Sequence, residues 1–567
     1  MPPLTSLLRT WLASHLNYVI LGCYLVLAGL LYAIVTVRVP PFLHPDGIYQ
    51  SYEPAHYFFY GYGELAWEWK VGGWQTVDRP EGYGPIRSMI TPFFFMALYW
   101  VGETLSLDYW TQTLLLVRVV MVLFFLAGLG VAAKLTQTLE ADTTPSHAGL
   151  LFAVFALGYT KFYFNATAGF TNTMILPLTF GALLLFILPL DKKWYRWPAG
   201  LVGGFLVGLS IWVRPDTAVL MAFFVLMNLD RFRVWKVPTF SAGFLLSAVF
   251  NGFLDQLQFG QFFVTFPNFI AFNSVNQALF GTKPFGWYLE TLLTAHRGMG
   301  FLLVLSTLTY VVLIVVLVYK KQQGNHKQVA HLWPPLKLLT RLAFWFVLTL
   351  VWWETNPHKE RRFIIGTEVV LLIWASVTVA FLVSTSYKWL QANGENFRTV
   401  GPWLARRKQT TRNYLYLLVL LPPILGLFLG GSAQTALTTG WNSGVGQQEA
   451  LMWVGQQEDV MGVGILEPMW YNGGYTFLHQ NVSLIYFLRQ GGNEVNQTHL
   501  FNEGRYGPYL YARIGRLNYL IIPQHQYWEF PTVKNATVEA GFELVWQATS
   551  DLTYTPLCDV WYYNPAP

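Results

Sequence analysis

Charged residues are scarce in this chain. Asp, Glu, Lys and Arg make up 12% of its 567 residues, whereas 54% are hydrophobic and 17% are aromatic. Soluble domains carry about 25% charged residues. The mean hydropathy is +0.37. This composition excludes an ordinary soluble globular protein and predicts one that crosses a membrane several times.

Cysteine is also rare, and common nucleotide and metal motifs are missing. Cys23 lies inside an apolar run and Cys558 lies near the C-terminus, so the pair does not indicate a disulfide framework or a metal site. The sequence lacks a phosphate-binding glycine loop, a paired-cysteine motif, an HExxH motif and a dinucleotide fingerprint. These absences argue against nucleotide-driven transport and a soluble nucleotide-sugar donor.

In place of charge, the chain has a series of apolar runs. Several are shorter than the ~20 residues of a straight spanning helix, so we expect some to be tilted, longer or re-entrant. No small-residue cleavage pattern follows the first run, which favours a retained helix over a signal peptide. The runs lie near residues 16–37, 86–102, 111–133, 147–164, 171–189, 198–213, 216–229, 238–254, 299–319, 341–353, 362–384 and 413–431.

Short basic clusters between the runs predict the orientation. The positive-inside rule places the clusters at 191–196, 230–236, 319–327 and 406–412 on the cytoplasmic side, which also explains the net charge of +6 without nucleic acid. With the N-terminus in the cytoplasm, twelve spans would return the tail to the cytoplasm, whereas the basic cluster at 406–412 places the tail outside. We therefore expect about 11 or about 13 spans. The ambiguity lies between 86 and 189, where a polar stretch at 165–172 indicates a broken or re-entrant helix. The loops at 39–85, 255–298 and 354–361 and the tail from 432 then share the outer face.

The tail, residues 432–567, differs in character from the rest. It loses long apolar runs and gains strand-favouring stretches at 517–522 and 542–546. We therefore predict an all-α polytopic membrane module over residues 1–431 and a small soluble α/β domain over 432–567 on the outer face.

The loop at 39–92 is the part of the chain around which the apolar runs are organised. Pro45 predicts a rigid turn that holds Asp46 near the membrane surface. Transfer of a sugar from a lipid phosphate needs a base for the acceptor hydroxyl, and an interfacial carboxylate suits that task. The alternative is a solvated, Trp-rich segment anchored at headgroup level. The candidate residues are His44, Asp46, Gln50, Glu53, His56, Glu64, Glu68, Asp78 and Arg87.

Two further segments have candidate residues. The cluster His358-Lys359-Glu360-Arg361-Arg362 opposes the positive-inside trend on the outer face, which indicates donors for a phosphate group; snorkelling anchors at a span end are the alternative. Arg214 and Asp216 predict an ion pair that either stabilises a tight turn or contacts substrate.

These segments resemble the integral-membrane mannosyltransferases of the GPI-anchor and lipid-linked-oligosaccharide type, glycosyltransferase family 22. The resemblance rests on HPDGIYQSYEPAH at 44–56, IRS at 86–88, Arg214-Pro215, the segment 269–288, HKERRF at 358–363 and the stretch 470–479. Order and spacing agree with the family over most of the chain. Two positions depart from it: Gly47 replaces an acidic residue, and TKPFGWY at 282–288 lacks the family's His.

The resemblance implies a GT-C type fold and an inverting transfer of mannose, or a related hexose, from a polyprenyl-phosphate or dolichyl-phosphate donor to a lipid-linked or glycan acceptor. It implies Asp46 as the base, and His358, Lys359, Glu360 and Arg362 as contacts of the donor phosphate. We expect His44, Gln50, Glu53, His56, Arg87 and Arg214 to line the substrate site. We also expect the loop and the 358–362 cluster to meet on one face, without a metal or a cofactor.

Two alternatives stay open. The same residues would suit a carrier or flippase for lipid-linked sugars. Charges well inside several spans would favour that interpretation, but most charges in this chain lie at span ends, and Arg118 is the main exception. A GT-C transferase of another sugar, such as a pentose, would keep the fold and change the pocket. The membrane is the plasma membrane for a prokaryote, which we prefer because no ER-retrieval tail is visible, or the endoplasmic reticulum membrane for a eukaryote.

Overall fold

The computed structural model describes residues 45–393 and 445–564 with short gaps, and five residues between 26 and 33. His44, most of the predicted first span, the last span at 413–431, the basic cluster at 406–412 and the 431/432 domain boundary lie outside the described residues. The gaps are 77–78, 141–146, 168, 170, 189–192, 232–233, 235, 277–280, 295–296, 467–472, 488–505, 514–515, 525, 527–531 and 550–555.

Helices dominate the first part of the chain. A helical turn at Pro45–Gly47 and a π-helical turn at Ile48–Tyr52 lead into α1, and a short hairpin of β1 and β2 follows. The elements up to residue 393 are α1 (Glu53–Tyr60), β1 (Trp74–Thr76), β2 (Arg79–Tyr83), α2 (Ile90–Thr104), α3 (Leu114–Glu140), α4 (Ala148–Gly158), α5 (Thr160–Thr167), α6 (Thr171–Ile187), α7 (Lys193–Val213), α8 (Thr217–Met227), α9 (Lys236–Phe259), α10 (Thr265–Asn276), α11 (Trp287–Thr294), α12 (Arg297–Gln322), α13 (His326–Thr355) and α14 (Ile365–Asn393).

The helical part has the character of a membrane protein. Within the described residues, six helices are long and apolar enough to cross a bilayer, and they fall in α3, α7, α9, α12, α13 and α14. Many outward side chains on these helices are large and apolar, such as Leu245, Val249, Leu308 and Val315. Such a surface suits lipid rather than water, so this is a multi-pass membrane protein.

Close helix packing explains some of the glycines. Gly204 of α7 lies against the Phe240 carbonyl of α9, and Gly243 of α9 lies against the Leu201 carbonyl of α7. A side chain at either glycine would collide with backbone. Small residues at such crossings let membrane helices approach closely, which favours packing where lipid gives no hydrophobic driving force.

Two predicted spans have different limits in the structure. The run at 147–164 is not one helix, because Tyr159 has an extended conformation that ends α4 before α5 begins at Thr160. The run at 341–353 belongs to a longer helix, α13, which begins at His326 and passes through Pro334 and Pro335. Asn325 caps this helix by accepting a hydrogen bond from the Gln328 N–H.

The C-terminal part contains a β-sheet, as the sequence predicts, and within the described residues this sheet is mixed and has five strands. Strand order is β4-β3-β5-β7-β6; β3 pairs in parallel with β4 and β5, and β7 pairs antiparallel with β5 and β6. All residues of the central strand β5 are buried, which explains its continuous apolar run. The elements are α15 (Val445–Gly455), β3 (Gly462–Ile465), α16 (Tyr475–Leu478), β4 (Ser483–Tyr486), α17 (Tyr506–Tyr511), β5 (Tyr519–Pro523), α18 (Thr532–Glu539), β6 (Glu543–Thr549) and β7 (Pro556–Tyr562).

Four segments far apart in sequence meet at one end of the helical bundle. Asn268 donates a hydrogen bond to the Pro85 carbonyl at 3.2 Å, and the Lys283 N–H donates to the Pro357 carbonyl at 2.9 Å. Glu53 accepts hydrogen bonds from residues 475 and 476. These contacts bring the predicted loops and the tail together; their placement on the outer face of the membrane stays a prediction.

Candidate active site

Asp46 stands at the start of a buried helical stretch. Pro45 suits the first helical position, where a backbone N–H would have no partner in the helix. The following Ile48, Tyr49 and Tyr52 are fully buried and fix this stretch in the core. The Asp46 side chain remains 32% exposed. The fold thus presents a carboxylate at an open edge of a rigid segment.

The Asp46 carboxylate contacts the 358–362 cluster. Arg362 places its Nη2 2.6 Å from Asp46 Oδ2 and 2.6 Å from Glu360 Oε2, so one guanidinium joins two carboxylates. Glu360 Oε1 lies 3.0 Å from His358 Nε2, and this hydrogen bond is the main cause of the raised pKa of His358. The expected meeting of the two segments is confirmed. We call these four residues, Asp46, His358, Glu360 and Arg362, the charged cluster.

A second ion pair lies beside the charged cluster. Arg87 Nη2 lies 2.5 Å from Glu68 Oε1, and Gln50 donates to the same oxygen at 3.3 Å. Burial raises the pKa of Glu68, and the negative charge of Asp46 adds to the rise while Arg87 and Arg362 oppose it. Gln50 and Arg87 therefore lie beside the charged cluster, and both contact Glu68. Glu68 was among the loop acids noted in the sequence but was not predicted as a site residue.

Lys359 faces into the protein. Its side chain is 2% exposed, and its Nζ donates to the carbonyls of Asn356 at 2.7 Å and Lys283 at 3.1 Å. Glu354 lies 4.0 Å from the same ammonium. In this structure Lys359 braces the turn that leads to Arg362, whereas a contact with a donor phosphate stays a prediction.

Glu354 is linked to the charged cluster through the start of α11. Its carboxylate accepts hydrogen bonds from the backbone N–H groups of Gly286, Tyr288 and Leu289, at the start of α11. An anion at a helix N-terminus satisfies N–H groups that have no partner within the helix. The Tyr288 hydroxyl in turn accepts the Glu360 N–H at 3.1 Å. This arrangement fixes the backbone of the cluster.

Arg214 packs against Phe363, the residue that follows Arg362 of the charged cluster. It forms the predicted ion pair with Asp216 at 2.9 Å, donates to Asn172 Oδ1 at 3.0 Å, and stands 5.3 Å from the centre of the Phe363 ring. Its side chain is largely buried. These contacts make Arg214 a supporting residue of the 360–363 segment; a direct contact with substrate is untested.

Glu53 has different surroundings from Asp46. It is 0% exposed, and its two oxygens accept four hydrogen bonds, from the N–H groups of Glu64, Tyr475 and Thr476 and from the Thr476 hydroxyl, at 2.7 to 3.0 Å. Burial raises the pKa of Glu53 to about 7, and the four donors counteract part of this rise. Gly474, at φ 61°, lies against this carboxylate, where a side chain would collide with it.

His56 completes the contact with the C-terminal part. Its Nε2 lies 2.9 Å from Nδ1 of His479, and the His479 ring stacks on Tyr109 at 3.5 Å. Burial lowers the pKa of His56 to about 3, with His479 adding to the effect, and burial lowers the pKa of His479 to about 4. We call Glu53, His56, Thr476 and His479 the docking junction. It holds residues 475–479 against the loop.

The predicted residues thus divide into two groups. Asp46, His358, Glu360 and Arg362 meet at the surface, with Gln50 and Arg87 beside them, whereas Glu53 and His56 are buried against residues 475–479. His44 lies outside the described residues. In the described part of the chain, no three His, Cys, Asp or Glu side chains converge as metal ligands.

Sequence reasoning missed several supporting residues. Lys161, Asn172, Tyr288, Glu354 and Glu368 hold the 360–368 segment through buried hydrogen bonds and ion pairs. A signal was available for two of them. Lys161 and Glu368 are charged residues within or beside apolar runs, where an ionisable side chain needs a partner.

Comparison with protein families gives a match over most of the chain. The sequence model of the Alg9-like mannosyltransferase family matches residues 23–441. This range includes Asp46 and the 358–362 cluster.

Individual relatives match more weakly and over part of their length. "Mannosyltransferase APTG1" of Arabidopsis thaliana is 25% identical over 358 residues, which is 60% of this chain and 56% of the relative. "GPI mannosyltransferase 3" of Yarrowia lipolytica is 25% identical over 372 residues, which is 62% of this chain and 65% of the relative. The chain therefore matches between half and two thirds of the length of these relatives.

A solved structure has a similar fold. ArnT from Cupriavidus metallidurans, bound to undecaprenyl phosphate, superposes with a TM-score of 0.53, covering 95% of this chain and 97% of ArnT at 10% identity. At that identity the likeness concerns the fold, and it confirms the predicted GT-C type architecture.

Proposed function

Since this chain belongs to the Alg9-like mannosyltransferase family, we propose that it transfers mannose from a polyprenyl-phosphate or dolichyl-phosphate donor to a lipid-linked glycan. The observation that supports this most is the contact between Asp46 and Arg362. A proton acceptor and a cation for a leaving phosphate stand side by side at an accessible edge. The two groups come from segments that are more than 300 residues apart.

The chemistry follows from the geometry. Asp46 takes the proton of an acceptor hydroxyl as that oxygen attacks the anomeric carbon of mannose. The bond between this carbon and the phosphate oxygen breaks, and its electron pair leaves with the phosphate. Attack from the side opposite the phosphate inverts the anomeric centre.

Arg362 and His358 stabilise the leaving group. The donor phosphodiester has one negative charge, and the departing lipid phosphate gains a second. Cations therefore interact more strongly with the transition state than with the bound donor. Arg362 has a planar fork of donors that fits phosphate, and the raised pKa of His358 favours its protonated, donating form.

Glu360 and Lys359 have supporting roles in this proposal. A second anion would repel the donor phosphate, so Glu360 orients Arg362 and His358 rather than binding phosphate itself. Lys359 fixes the turn through backbone carbonyls. No metal or cofactor enters the scheme, because these cations neutralise a monophosphate leaving group.

The names of the relatives support the choice of substrates. Two curated relatives are described as mannosyltransferases, one of them as a GPI mannosyltransferase, and ArnT was solved with undecaprenyl phosphate. We therefore propose mannose as the sugar and a glycolipid of GPI type as acceptor. The basic clusters, which predict the cytoplasmic side, support catalysis on the non-cytoplasmic face.

A transfer assay with purified protein in liposomes tests the proposal. We expect radiolabelled mannose to move from dolichyl-phosphate mannose to a glycolipid, and Asp46→Asn to lower the rate by roughly 10²–10⁴-fold, the usual contribution of a general base. Asp230→Asn is the matched control, because Asp230 pairs with Arg341 outside the charged cluster.

The outcomes separate the alternatives. Near-normal transfer by Asp46→Asn would contradict the assigned base. Movement of the sugar lipid across the bilayer, without a new glycan, would indicate a carrier instead of an enzyme.

A further inference from the structure

Three consecutive residues of the charged cluster's segment are each held at the backbone. Tyr288 accepts the N–H of Glu360 at 3.1 Å. Lys161 Nζ donates to the Arg361 carbonyl at 2.6 Å, and Asn172 Nδ2 donates to the Arg362 carbonyl at 2.9 Å. Lys161 lies in α5, and Asn172 lies in the first turn of α6.

The Lys161 contact is anchored by a buried ion pair. The same ammonium lies 2.6 Å from Oε1 of Glu368, which is 0% exposed and lies in the first turn of α14. The Tyr159 hydroxyl donates to this oxygen at 3.1 Å. Because the break at Tyr159 ends α4, both Tyr159 and Lys161 can face α14. The sequence predicts an interruption at 165–172, but in the structure the helix already breaks at Tyr159. After this break Tyr159 and Lys161 both contact Glu368 of α14.

The Asn172 contact is anchored by a cation. Its Oδ1 accepts a hydrogen bond from Arg214 Nη1 at 3.0 Å, and Arg214 is held by Asp216. Since the amide oxygen faces a guanidinium, the amide NH₂ must face the Arg362 carbonyl. Asn172 is 2% exposed. A series of three contacts therefore links Asp216, Arg214 and Asn172 to the backbone of Arg362.

We propose that Lys161 and Asn172 are positioning residues, which fix the backbone at residues 361–362 so that the Arg362 guanidinium faces Asp46 and the leaving phosphate. This inference rests on the proposed function. A displacement of about 1 Å in a catalytic group can cost roughly 10²-fold in rate. Because the leaving phosphate gains charge as it departs, misplacing Arg362 should lower kcat more than it raises the KM for the donor.

The test combines kinetics with amide hydrogen exchange in the full-length protein. We expect Asn172→Ala to lower kcat per folded molecule by 10- to 100-fold with a donor KM within about threefold of wild type. Exchange of the amides of residues 360–366 should become at least tenfold faster. Lys161→Met should act in the same way, and Lys161→Arg, which keeps a donor, should restore part of the rate.

Asn228→Ala is the matched control. Asn228 is also buried, but its Nδ2 donates to the Phe224 carbonyl within its own helix, outside the charged cluster. Unchanged kcat per folded molecule and unchanged exchange at 360–366 in Asn172→Ala would overturn the inference. If wild-type protein transferred no mannose, the proposed function would fail, whereas the exchange data would still show whether Asn172 holds the segment.

Discussion

Asp46 and Glu53 lie seven residues apart on one helical stretch, and the structure uses them in different ways. The Asp46 carboxylate is 32% exposed and shares Arg362 with Glu360, whereas Glu53 is fully buried and accepts four hydrogen bonds. The first belongs to the charged cluster and the second to the docking junction. Two carboxylates of similar sequence context therefore differ through the segments that the fold brings to them.

The difference has an energetic side. Exposed ion pairs contribute about 0–1 kcal/mol to stability, whereas removal of one partner from a buried polar contact costs several times more. The Asp46 carboxylate is 32% exposed, and Arg362, which is 10% exposed, keeps Glu360 as a partner when Asp46 is replaced. Asp46→Asn should therefore lose activity at a smaller cost in stability than a change at Glu53. The docking junction should lose stability first. Variants that separate rate from stability test this distinction.

After Asp46, the largest effect is expected at Arg362. Arg362→Lys keeps the positive charge but loses the planar fork of donors that fits a phosphate. We expect transfer to fall by roughly 10²–10³-fold, as for loss of a preorganised donor in an active site. The measurement is kcat per folded molecule, and a midpoint of thermal unfolding near that of wild type shows that the loss is not misfolding. A loss below fivefold would place the phosphate contact elsewhere.

The docking junction should respond to pH through two opposed titrations. Between pH 4.5 and about 7 the folded protein keeps a proton on Glu53 that the unfolded chain releases, so stability falls as pH rises. Between about 3 to 4 and 6.5 the unfolded chain binds two protons that folded His56 and His479 do not, so stability falls as pH drops. In the wild type the two histidines outweigh Glu53, so we expect a net loss of roughly 2 kcal/mol of unfolding free energy from pH 7 to pH 5.

Substitution should uncover each titration. Glu53→Gln should lose roughly 3–4 kcal/mol of unfolding free energy on acidification from pH 7 to pH 5, because both histidines remain, and His56→Asn/His479→Asn should gain roughly 2 kcal/mol, because only Glu53 remains. Denaturant unfolding at the two pH values measures both slopes. Slopes of the same sign in the two variants would refute the assignment.

Thr476 tests the junction from the C-terminal side. Thr476→Val removes the hydroxyl that lies 2.7 Å from Glu53 Oε2 and leaves a buried oxygen with one donor fewer. We expect a loss of about 1–2 kcal/mol of unfolding free energy with kcat per folded molecule unchanged. Thr349→Val serves as control, because that buried hydroxyl bonds within its own helix. Equal losses in both variants would argue against a special role for the junction.

The smallest effect is expected at Gln50. Its hydrogen bond to Glu68 is long, 3.3 Å, and Arg87 already holds the same oxygen. Gln50→Ala should change the rate less than fivefold and stability by less than about 1 kcal/mol. A loss as large as that of Arg362→Lys would show that Gln50 contacts substrate directly.

The sequence was sufficient for the fold class and for the pairing of the charged cluster. Apolar runs predicted the helices, strand-favouring stretches predicted β5 and β6, and the family resemblance, now confirmed, linked Asp46 to residues 358–362. The outer face predicted for these loops follows from the basic clusters, and contacts such as that of Lys283 with Pro357 bring the loops together.

The sequence was insufficient for the role of the other loop acids. Glu53 and His56 were expected to line the substrate site, but their partners in the C-terminal part lie 422 to 423 residues further along the chain and include backbone N–H groups, which have no sequence signature. Likewise, α4 ends at Tyr159, whose hydroxyl donates to Glu368 of α14, 209 residues further along the chain. Tertiary contacts of this kind decide the conformation after local pattern has left it open.

The most direct test measures rate and stability together in Asp46→Asn and Glu53→Gln. We predict that Asp46→Asn loses at least 10²-fold in mannose transfer per folded molecule while its unfolding free energy stays within about 1 kcal/mol of wild type. Glu53→Gln should instead lose about 2–4 kcal/mol of unfolding free energy at neutral pH. Its kcat per folded molecule should stay within about threefold of wild type. The reverse pattern, an active Asp46→Asn and a stable but inactive Glu53→Gln, would contradict the assignment of the two carboxylates.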